Sequence, residues 1–95
     1  MISIGLLTLT LEIPGCQSLK EKRSRLKPLL ARLHREFDVS AAEIEALDAW
    51  QSSVLACVLV SNDPNQSRRA LQQVASWVDE NWPDVTVVES KIELR

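Results

Sequence analysis

The chain has 95 residues, of which 45% are hydrophobic and 25% are charged, so its composition is that of an ordinary globular protein. This length allows one hydrophobic core and excludes a second, so we expect a single domain over residues 1–95. The net charge of -2 is unevenly distributed. Residues 20–35 carry seven basic side chains and one acidic side chain, a local charge of +6, whereas the rest of the chain carries four basic and twelve acidic side chains.

The composition also bears on location. No apolar run approaches the ~18 residues needed to span a bilayer, and the first residues lack the basic segment and cleavage site of a secretory signal. The two cysteines form no CxxC motif. Cys57 lies in an apolar run and is expected in the core, whereas Cys16 follows a Pro-Gly turn and is expected near the surface. We therefore expect unpaired thiols in a cytoplasmic protein with no membrane association.

The first predicted element is a strand. Over residues 2–13, large aliphatic side chains alternate with polar ones, which is the pattern of a strand with one buried face. Its core-facing residues are predicted to be Leu7, Leu9, Leu11 and Ile13. Gly5 weakens the start of this strand or marks a bulge.

A helix is predicted over residues 18–36. Ser18 is a suitable N-cap, and Glu21 follows at the spacing of a capping box. Leucines recur along one side of this helix and continue in phase through Pro28. The proline removes one backbone hydrogen bond, so we expect it to kink the helix or to split it near Ser24.

Two strands are predicted next. Residues 39–47 form a weak edge strand in which Ala42 and Ile44 face inward. The side chains predicted to face solvent are Ala41, Glu43 and Glu45. Residues 52–60 are apolar at nearly every position, which indicates a central strand.

The last two elements are a helix over residues 63–81 and a strand over residues 85–94. Asp63 and Pro64 are typical of the N-cap and first position of a helix, and Gln66 stands where a capping box needs it. The predicted core stripe of this helix is Leu71, Val74 and Val78. The side chains predicted to share one face of the final strand are Val88, Ile92 and Leu94.

The order βαββαβ predicts an α+β protein of ferredoxin-like architecture, in which a four-stranded antiparallel sheet carries both helices on one face. The other face of the sheet is then uncovered. The central strand presents one of two apolar sets there, either Val54, Ala56, Val58 and Val60 or Leu55, Cys57 and Leu59. Because an exposed apolar patch usually marks an interface, we expect a homo-oligomer formed through this sheet face.

The basic side chains of the first helix are the main candidate site. At 100° per residue they cover the whole side of the helix opposite the leucines. These residues are Lys20, Lys22, Arg23, Arg25, Lys27, Arg32 and Arg35. Lys20, Arg25, Arg32 and Arg35 are predicted on the outer arc, with Arg23 and Lys27 on one shoulder and Lys22 on the other. Three interpretations are open: a solvated helix face, a surface for the phosphate backbone of RNA, or a contact for a protein partner.

Trp50 and Gln51, between the second and third strands, are a second candidate site, for a partner protein. Tryptophan is enriched at the energetic centres of interfaces. A tryptophan at this position equally suits a cap on the end of the sheet. The aromatic content of 4% leaves few rings for stacking on single-stranded nucleic acid.

The sequence offers no arrangement for catalysis, a metal or a cofactor, and we expect a protein that is not an enzyme. His34 is the only histidine and has no second ligand or orienting group in the pattern. Glu43, Glu45 and Asp48 are interpreted as solvated charges of an edge strand rather than as an acid–base pair. Two glycines are too few for a phosphate-binding loop.

Several segments resemble the YlxP-like family of small bacterial proteins of unknown function. The most specific segment is LTLEIPGCQSLKEKR at 9–23, and the others are FDVS at 37–40, AE at 42–43, DAWQ at 48–51 and VSND at 60–63. The resemblance covers nearly the whole chain and implies a ferredoxin-like fold. Members tend to be encoded beside genes for translation and ribosome maturation, an association that supplies no mechanism. We expect a small binding protein for RNA or the ribosome; the alternative is a homo-oligomeric interaction module without a nucleic-acid role.

Overall fold

A computed structural model describes residues 1–95. The six elements in chain order are β1 (Ser3–Glu12), α1 (Leu19–Glu36), β2 (Ser40–Glu45), β3 (Ser52–Ser61), α2 (Pro64–Asn81) and β4 (Thr86–Leu94). Their order and approximate bounds agree with those predicted from the sequence. Neither helix is both long and apolar enough to cross a membrane.

The four strands form one sheet in the order β2-β3-β1-β4, and all neighbouring strands are antiparallel. Both helices pack on the same face, because buried residues of α1 and of α2 join one core cluster with the same alternate residues of β1 and β3. The predicted ferredoxin-like α+β architecture is therefore confirmed.

The core lies between the sheet and the two helices. Its fully buried β1 residues are Leu7, Leu9 and Leu11, and Ile13 follows them just beyond the strand, as the alternation predicted. The helices contribute Leu26, Leu29, Leu33, Leu71, Val74 and Val78. Burying a leucine or valine side chain stabilises a fold by about 1.5–3 kcal/mol, so these two stripes fix the helices on the sheet.

Cys16 is also fully buried, so its predicted position near the surface was wrong. Gly15 has a φ of 72°, a left-handed conformation that glycine adopts without strain. The chain turns there, and the Cys16 thiol donates to the carbonyl of Ser18 at 3.4 Å. Both cysteines are free.

Gly5 marks no bulge, because it pairs in register with Leu59 on one side and Leu94 on the other. A Cβ atom at Gly5 would lie 2.7 Å from Cδ1 of Leu71, so the glycine allows α2 to approach the sheet closely. The register shift lies instead opposite Thr10 and Leu11 of β1.

That shift changes the face assignment of β4. Glu89 pairs with Thr10 and Val87 pairs with Leu11, so Val88 is the additional residue and is 55% exposed. The prediction that Val88 shares the core face was wrong, whereas the prediction for Ile92 is confirmed by its packing against the core. A β-bulge of this kind adds one residue to one strand and inverts the alternation beyond it.

The helix caps follow the sequence only in part. The Ser18 hydroxyl accepts from the Glu21 backbone N–H at 3.0 Å, but the Glu21 carboxylate accepts from Gln17 N–H rather than from Ser18. In α2, Asp63 accepts from Asn65 N–H at 2.9 Å, and the Asp63 N–H donates to the Ser61 hydroxyl, so Gln66 forms no capping box. Helix α1 continues without a break through its internal proline.

The prediction for β2 was wrong in which side chains face the helices. The pairing places Ala41 opposite Cys57 and Glu43 opposite Leu55, both core residues, so Ala41 and Glu43 face the helix layer. Ile44 lies at a register shift and is 46% exposed. The alternation of β2 predicts every glutamate outside, since the pattern carries no sign of the buried cation beside Glu43.

The open face of the sheet carries the valine set of β3, namely Val54, Ala56, Val58 and Val60. In the pairing with β1, Val58 lies opposite Leu6 and Val60 opposite Ile4. Val60 is 69% exposed. The adjacent part of β4 presents Glu89, Lys91 and Glu93 on the same face. An apolar strip on the two central strands is thus bordered by charges on one side.

Candidate functional site

Lys22 is the least expected residue of the basic segment, because it is buried. Its side chain is 1% exposed, and its ammonium lies 2.7 Å from the carboxylate of Glu43. The same nitrogen donates to the backbone carbonyls of Ala46, Ala49 and Ser52 at 2.6, 2.7 and 2.9 Å. A buried ammonium is tolerated only when oxygen atoms replace its water, and here four oxygens do so.

The connection between β2 and β3 is folded around this ammonium. Ala46 has a φ of 60°, which an alanine adopts only when its surroundings impose it. Its carbonyl points at Lys22, and Ala49 N–H donates back to that same carbonyl at 3.1 Å. The lysine therefore holds a tight turn that contains no glycine.

Lys22 is for this reason not part of a nucleic-acid surface, and its assignment to one was wrong. The helical wheel placed it on a shoulder of the exposed arc. Helical periodicity does not show that the carbonyls of the turn after β2 accept from Lys22. Nor does it show that Glu43 of β2 supplies the counter-charge.

Two more cations of α1 are committed to internal contacts. Arg25 donates to the carbonyls of Pro14 and Asp84 at 2.9 and 2.5 Å, and it joins the loop before α1 to the loop after α2. Arg32 lies over the ring of Trp77, with its Cζ atom 5.3 Å from the ring centroid, and it pairs with Glu36 at 3.2 Å. Both side chains are partly accessible to solvent, but their internal contacts restrict their movement towards a ligand.

The remaining four cations are exposed and form no ion pair. They are Lys20, Arg23, Lys27 and Arg35, and we call them the outer cations of α1. The ion pairs of the structure involve Lys22, Arg25 and Arg32 instead. Of the seven basic residues predicted as one site, the structure therefore presents four as a solvent-facing group.

Trp50 and Gln51 lie together at the end of the sheet but differ in environment. Trp50 is 52% exposed, so it does not simply cap the sheet. The side chain of Gln51 donates through Nε2 to the backbone carbonyl of Cys16 at 3.2 Å, and the backbone carbonyl of Gln51 accepts from Ile13 N–H. Gln51 joins two loops, and Trp50 is presented to solvent by the turn that Lys22 holds.

His34 and Glu43 make contacts that the sequence did not predict. The Nε2 atom of His34 accepts a hydrogen bond from the backbone N–H of Ala41 at 3.0 Å. Glu43 accepts from both Lys22 and the hydroxyl of Ser53 at 2.7 Å. The sequence held no local signal for the Lys22–Glu43 pair, because the two residues lie far apart in the chain.

Cys57 is a fully buried thiol of the core. Burial raises the pKa of the Cys57 thiol to about 11, so this group is a poor nucleophile at neutral pH. No group of three or more His, Cys, Asp or Glu side chains is arranged to hold a metal ion.

The fold and these contacts define a small ferredoxin-like α+β domain whose basic helix is anchored by a buried lysine. Comparison with known proteins gives its family. The family described as "Protein of unknown function (DUF503)" matches residues 4–92, and the chain belongs to that family.

A relative from Bacillus subtilis (strain 168), "Uncharacterized protein YlxP", is 38% identical over 68 residues, which are 72% of this chain and 73% of that protein. The resemblance to the YlxP-like family drawn from the sequence is thereby confirmed. Among solved structures, "De novo designed protein Foldit4" is similar with a TM-score of 0.49 and 14% identity, over 100% of this chain and 94% of that one.

Proposed function

We propose that this protein is a non-enzymatic binding protein that contacts the phosphate backbone of RNA through the outer cations of α1. One observation carries the proposal: four of the seven cations of this helix face solvent without a carboxylate partner, while the other three contact groups of the same chain. The rest of the chain is acidic, so a polyanion is directed to this helix and repelled elsewhere.

The chemistry favours backbone contact over base recognition. Sequence-specific binding of single-stranded RNA relies on rings that stack on unpaired bases. Phe37, Trp77 and Trp82 pack against one another in a partly buried cluster, which leaves their faces largely occupied. Lysine and arginine on the outer side of a helix contact phosphates without reading bases, so we expect little sequence preference.

The test is a titration of the protein against a labelled RNA duplex and a single strand at several salt concentrations. If four cations each contact a phosphate, the slope of log K against log salt is about −3 to −4. Replacing Lys20 and Arg35 by Ser makes the slope less negative by about 2 units. The matched control replaces Lys91 and Arg95 by Ser, which changes the net charge equally and leaves the slope unchanged. Absence of RNA affinity at low salt contradicts the proposal.

Two further expectations belong to this proposal. We infer a cytoplasmic location, which the two lone and unpaired cysteines support, because such thiols are typical of reducing compartments.

We also propose Trp50 as an anchor for a protein partner, since a half-exposed tryptophan on a rigid turn suits that role. Replacing Trp50 by Ser then weakens partner capture and leaves the salt dependence of RNA binding unchanged.

The second candidate function is self-association through the open face of the sheet. It is supported by the strip of Ile4, Leu6, Val58 and Val60, in which Val60 is 69% exposed. Sedimentation equilibrium at micromolar concentration then shows a dimer that is indifferent to salt. The Val58→Lys, Val60→Lys variant is expected to be monomeric. A wild-type protein that is monomeric under the same conditions contradicts this candidate.

A further inference from the structure

A groove lies between α1 and the free edge of β2. It has a volume of about 240 Å³ and is lined by Arg23, Leu26, Lys27, Leu30 and Glu43. The two leucines provide an apolar surface, and the two cations lie one helical turn apart along the same side of α1. A groove with an apolar surface and a few fixed charges suits a peptide better than a nucleic acid.

The edge of β2 that borders this groove has backbone groups available for pairing. β2 is the terminal strand of the sheet and pairs only with β3. The backbone N–H of Ala41 points away from β3, because it donates to His34. Backbone direction alternates along a strand, so the N–H and carbonyl of Glu43 point to the same free edge. An extended peptide is able to pair there as a fifth strand.

The charge of the groove selects the partner. Glu43 lines it, but its carboxylate is bound to Lys22 at 2.7 Å and to the hydroxyl of Ser53. Arg23 and Lys27 have no carboxylate partner. The groove therefore presents two unpaired cations beside leucine side chains, and its complement is an acidic and aliphatic segment.

We propose that this groove binds an extended acidic segment of a partner protein, which adds as a strand to the edge of β2. Side chains two positions apart on an added strand face the helix layer. An aliphatic side chain at one such position contacts Leu26 and Leu30, and a carboxylate at the next one pairs with Arg23 or Lys27. This inference goes beyond RNA binding, since it assigns a protein ligand to the flank of the same helix.

His34 gives the proposal a distinguishing feature. Its imidazole occupies the Ala41 N–H, which is a hydrogen-bonding position that an added strand requires. Pairing along the full edge displaces the imidazole. The His34→Ala variant therefore binds the segment more tightly, by roughly threefold to tenfold, the value of one net hydrogen bond. A purely electrostatic surface gives no such gain.

The probe is a short blocked peptide in which Glu and Leu alternate at every second position with Thr between them. Its binding to the full chain is followed by fluorescence anisotropy and by amide chemical shifts in β2. The Arg23→Glu, Lys27→Glu variant is expected to weaken binding at least about tenfold, because it replaces two ion pairs by repulsion. The matched control, Lys20→Glu and Arg35→Glu, changes the net charge equally outside the groove and leaves peptide affinity within about twofold.

Four outcomes overturn the proposal. The first is that the peptide does not bind, and the second is that the two double variants weaken peptide affinity equally. The third is that a peptide with methylated backbone nitrogens binds with unchanged affinity. The fourth is that a second copy of the chain covers the β2 edge in solution. RNA affinity is measured separately on the same variants. RNA binding is expected to weaken equally in both double variants, so failure of the RNA proposal and failure of the groove proposal are distinguishable.

Discussion

The inner and outer sides of α1 use the same kinds of residue for opposite purposes. On the inner side, Lys22 is enclosed by four oxygen atoms and organises a turn between two strands. On the outer side, Lys20 and Arg23, its near neighbours in sequence, have no partner at all. A cation that is saturated with oxygen stabilises the fold, and a cation without partners is available for a ligand. Local charge in a sequence therefore does not measure the charge that a surface presents.

The largest expected effect comes from removing the inner cation. The Lys22→Met variant keeps most of the side-chain volume but removes the cation that pairs with Glu43 and donates to three backbone carbonyls. Breaking a buried pair in this way costs about 3–5 kcal/mol of the free energy of unfolding. Urea denaturation measures this loss.

The matched control is Lys20→Met, which removes an outer cation and is expected to change stability by less than about 0.5 kcal/mol. The division into inner and outer cations is contradicted if the free energy of unfolding of Lys22→Met lies within about 1 kcal/mol of the wild-type value. That threshold is well below the cost of an unpaired buried charge. Equal effects of the two variants contradict the division as well.

Cys57 sharpens the comparison, because it is a buried ionisable group without partners. Burial raises its pKa to about 11, so the native state holds the thiol proton more tightly than the unfolded chain does. The stabilisation is complete below the ordinary pKa of 9.0 and is lost as pH rises from there towards about 11. The loss amounts to about 3 kcal/mol.

The measurement compares unfolding of the wild type and the Cys57→Ala variant between neutral and strongly alkaline pH. Every other ionisable group is common to the two proteins, so the difference between them reports the thiol alone. We expect the stability advantage of the wild type to shrink as pH rises through this window. A difference that is constant with pH contradicts the assignment.

How much of this was predictable from the sequence differs between the fold and the site. The element order, the β1 alternation and the α2 stripe were predicted correctly, because period-2 and period-3.6 patterns are set by burial against one layer. Register shifts at Ile44 and Val88 were not predictable, since a single additional residue leaves no mark in the composition. The pattern therefore gave the elements but misassigned Ile44 and Val88. It also inverted Ala41 and Glu43 in β2, because the buried cation beside Glu43 was not foreseen.

The site was predictable only in part, for a physical reason. Helical periodicity shows which side of α1 faces away from the leucines. It placed Arg25 and Arg32, which have internal partners, on the outer arc, and it placed the exposed Arg23 and Lys27 on a shoulder of that arc. The burial of Lys22 depends on a turn twenty-four or more residues later in the chain. Long-range contacts of that kind determine which charges are neutralised, and one sequence alone does not contain them.

Arg25 tests the intermediate case, a partly accessible cation with internal partners. Its guanidinium donates to the carbonyls of Pro14 and Asp84 and so joins the two loops at one end of the helix layer. The Arg25→Met variant is expected to lose about 1–2 kcal/mol of stability, because two hydrogen bonds from a charged group are removed at a partly solvated site. Thermal unfolding is the measurement, and Arg23→Met is the control, with a change below about 0.5 kcal/mol.

The smallest expected effect concerns His34, which connects the exposed side of α1 to the edge of β2. Its imidazole accepts from Ala41 N–H, so the His34→Ala variant leaves that backbone group to water and costs about 0.5–1 kcal/mol at most. The effect is local, and hydrogen exchange at the Ala41 amide measures it better than global unfolding does. We expect faster exchange at Ala41 with little change at Ala42, whose residue lies opposite Ala56 within the sheet. Unchanged exchange at Ala41 would mean that the imidazole does not protect the edge, and the inhibitory role assigned to His34 in strand addition would fail with it.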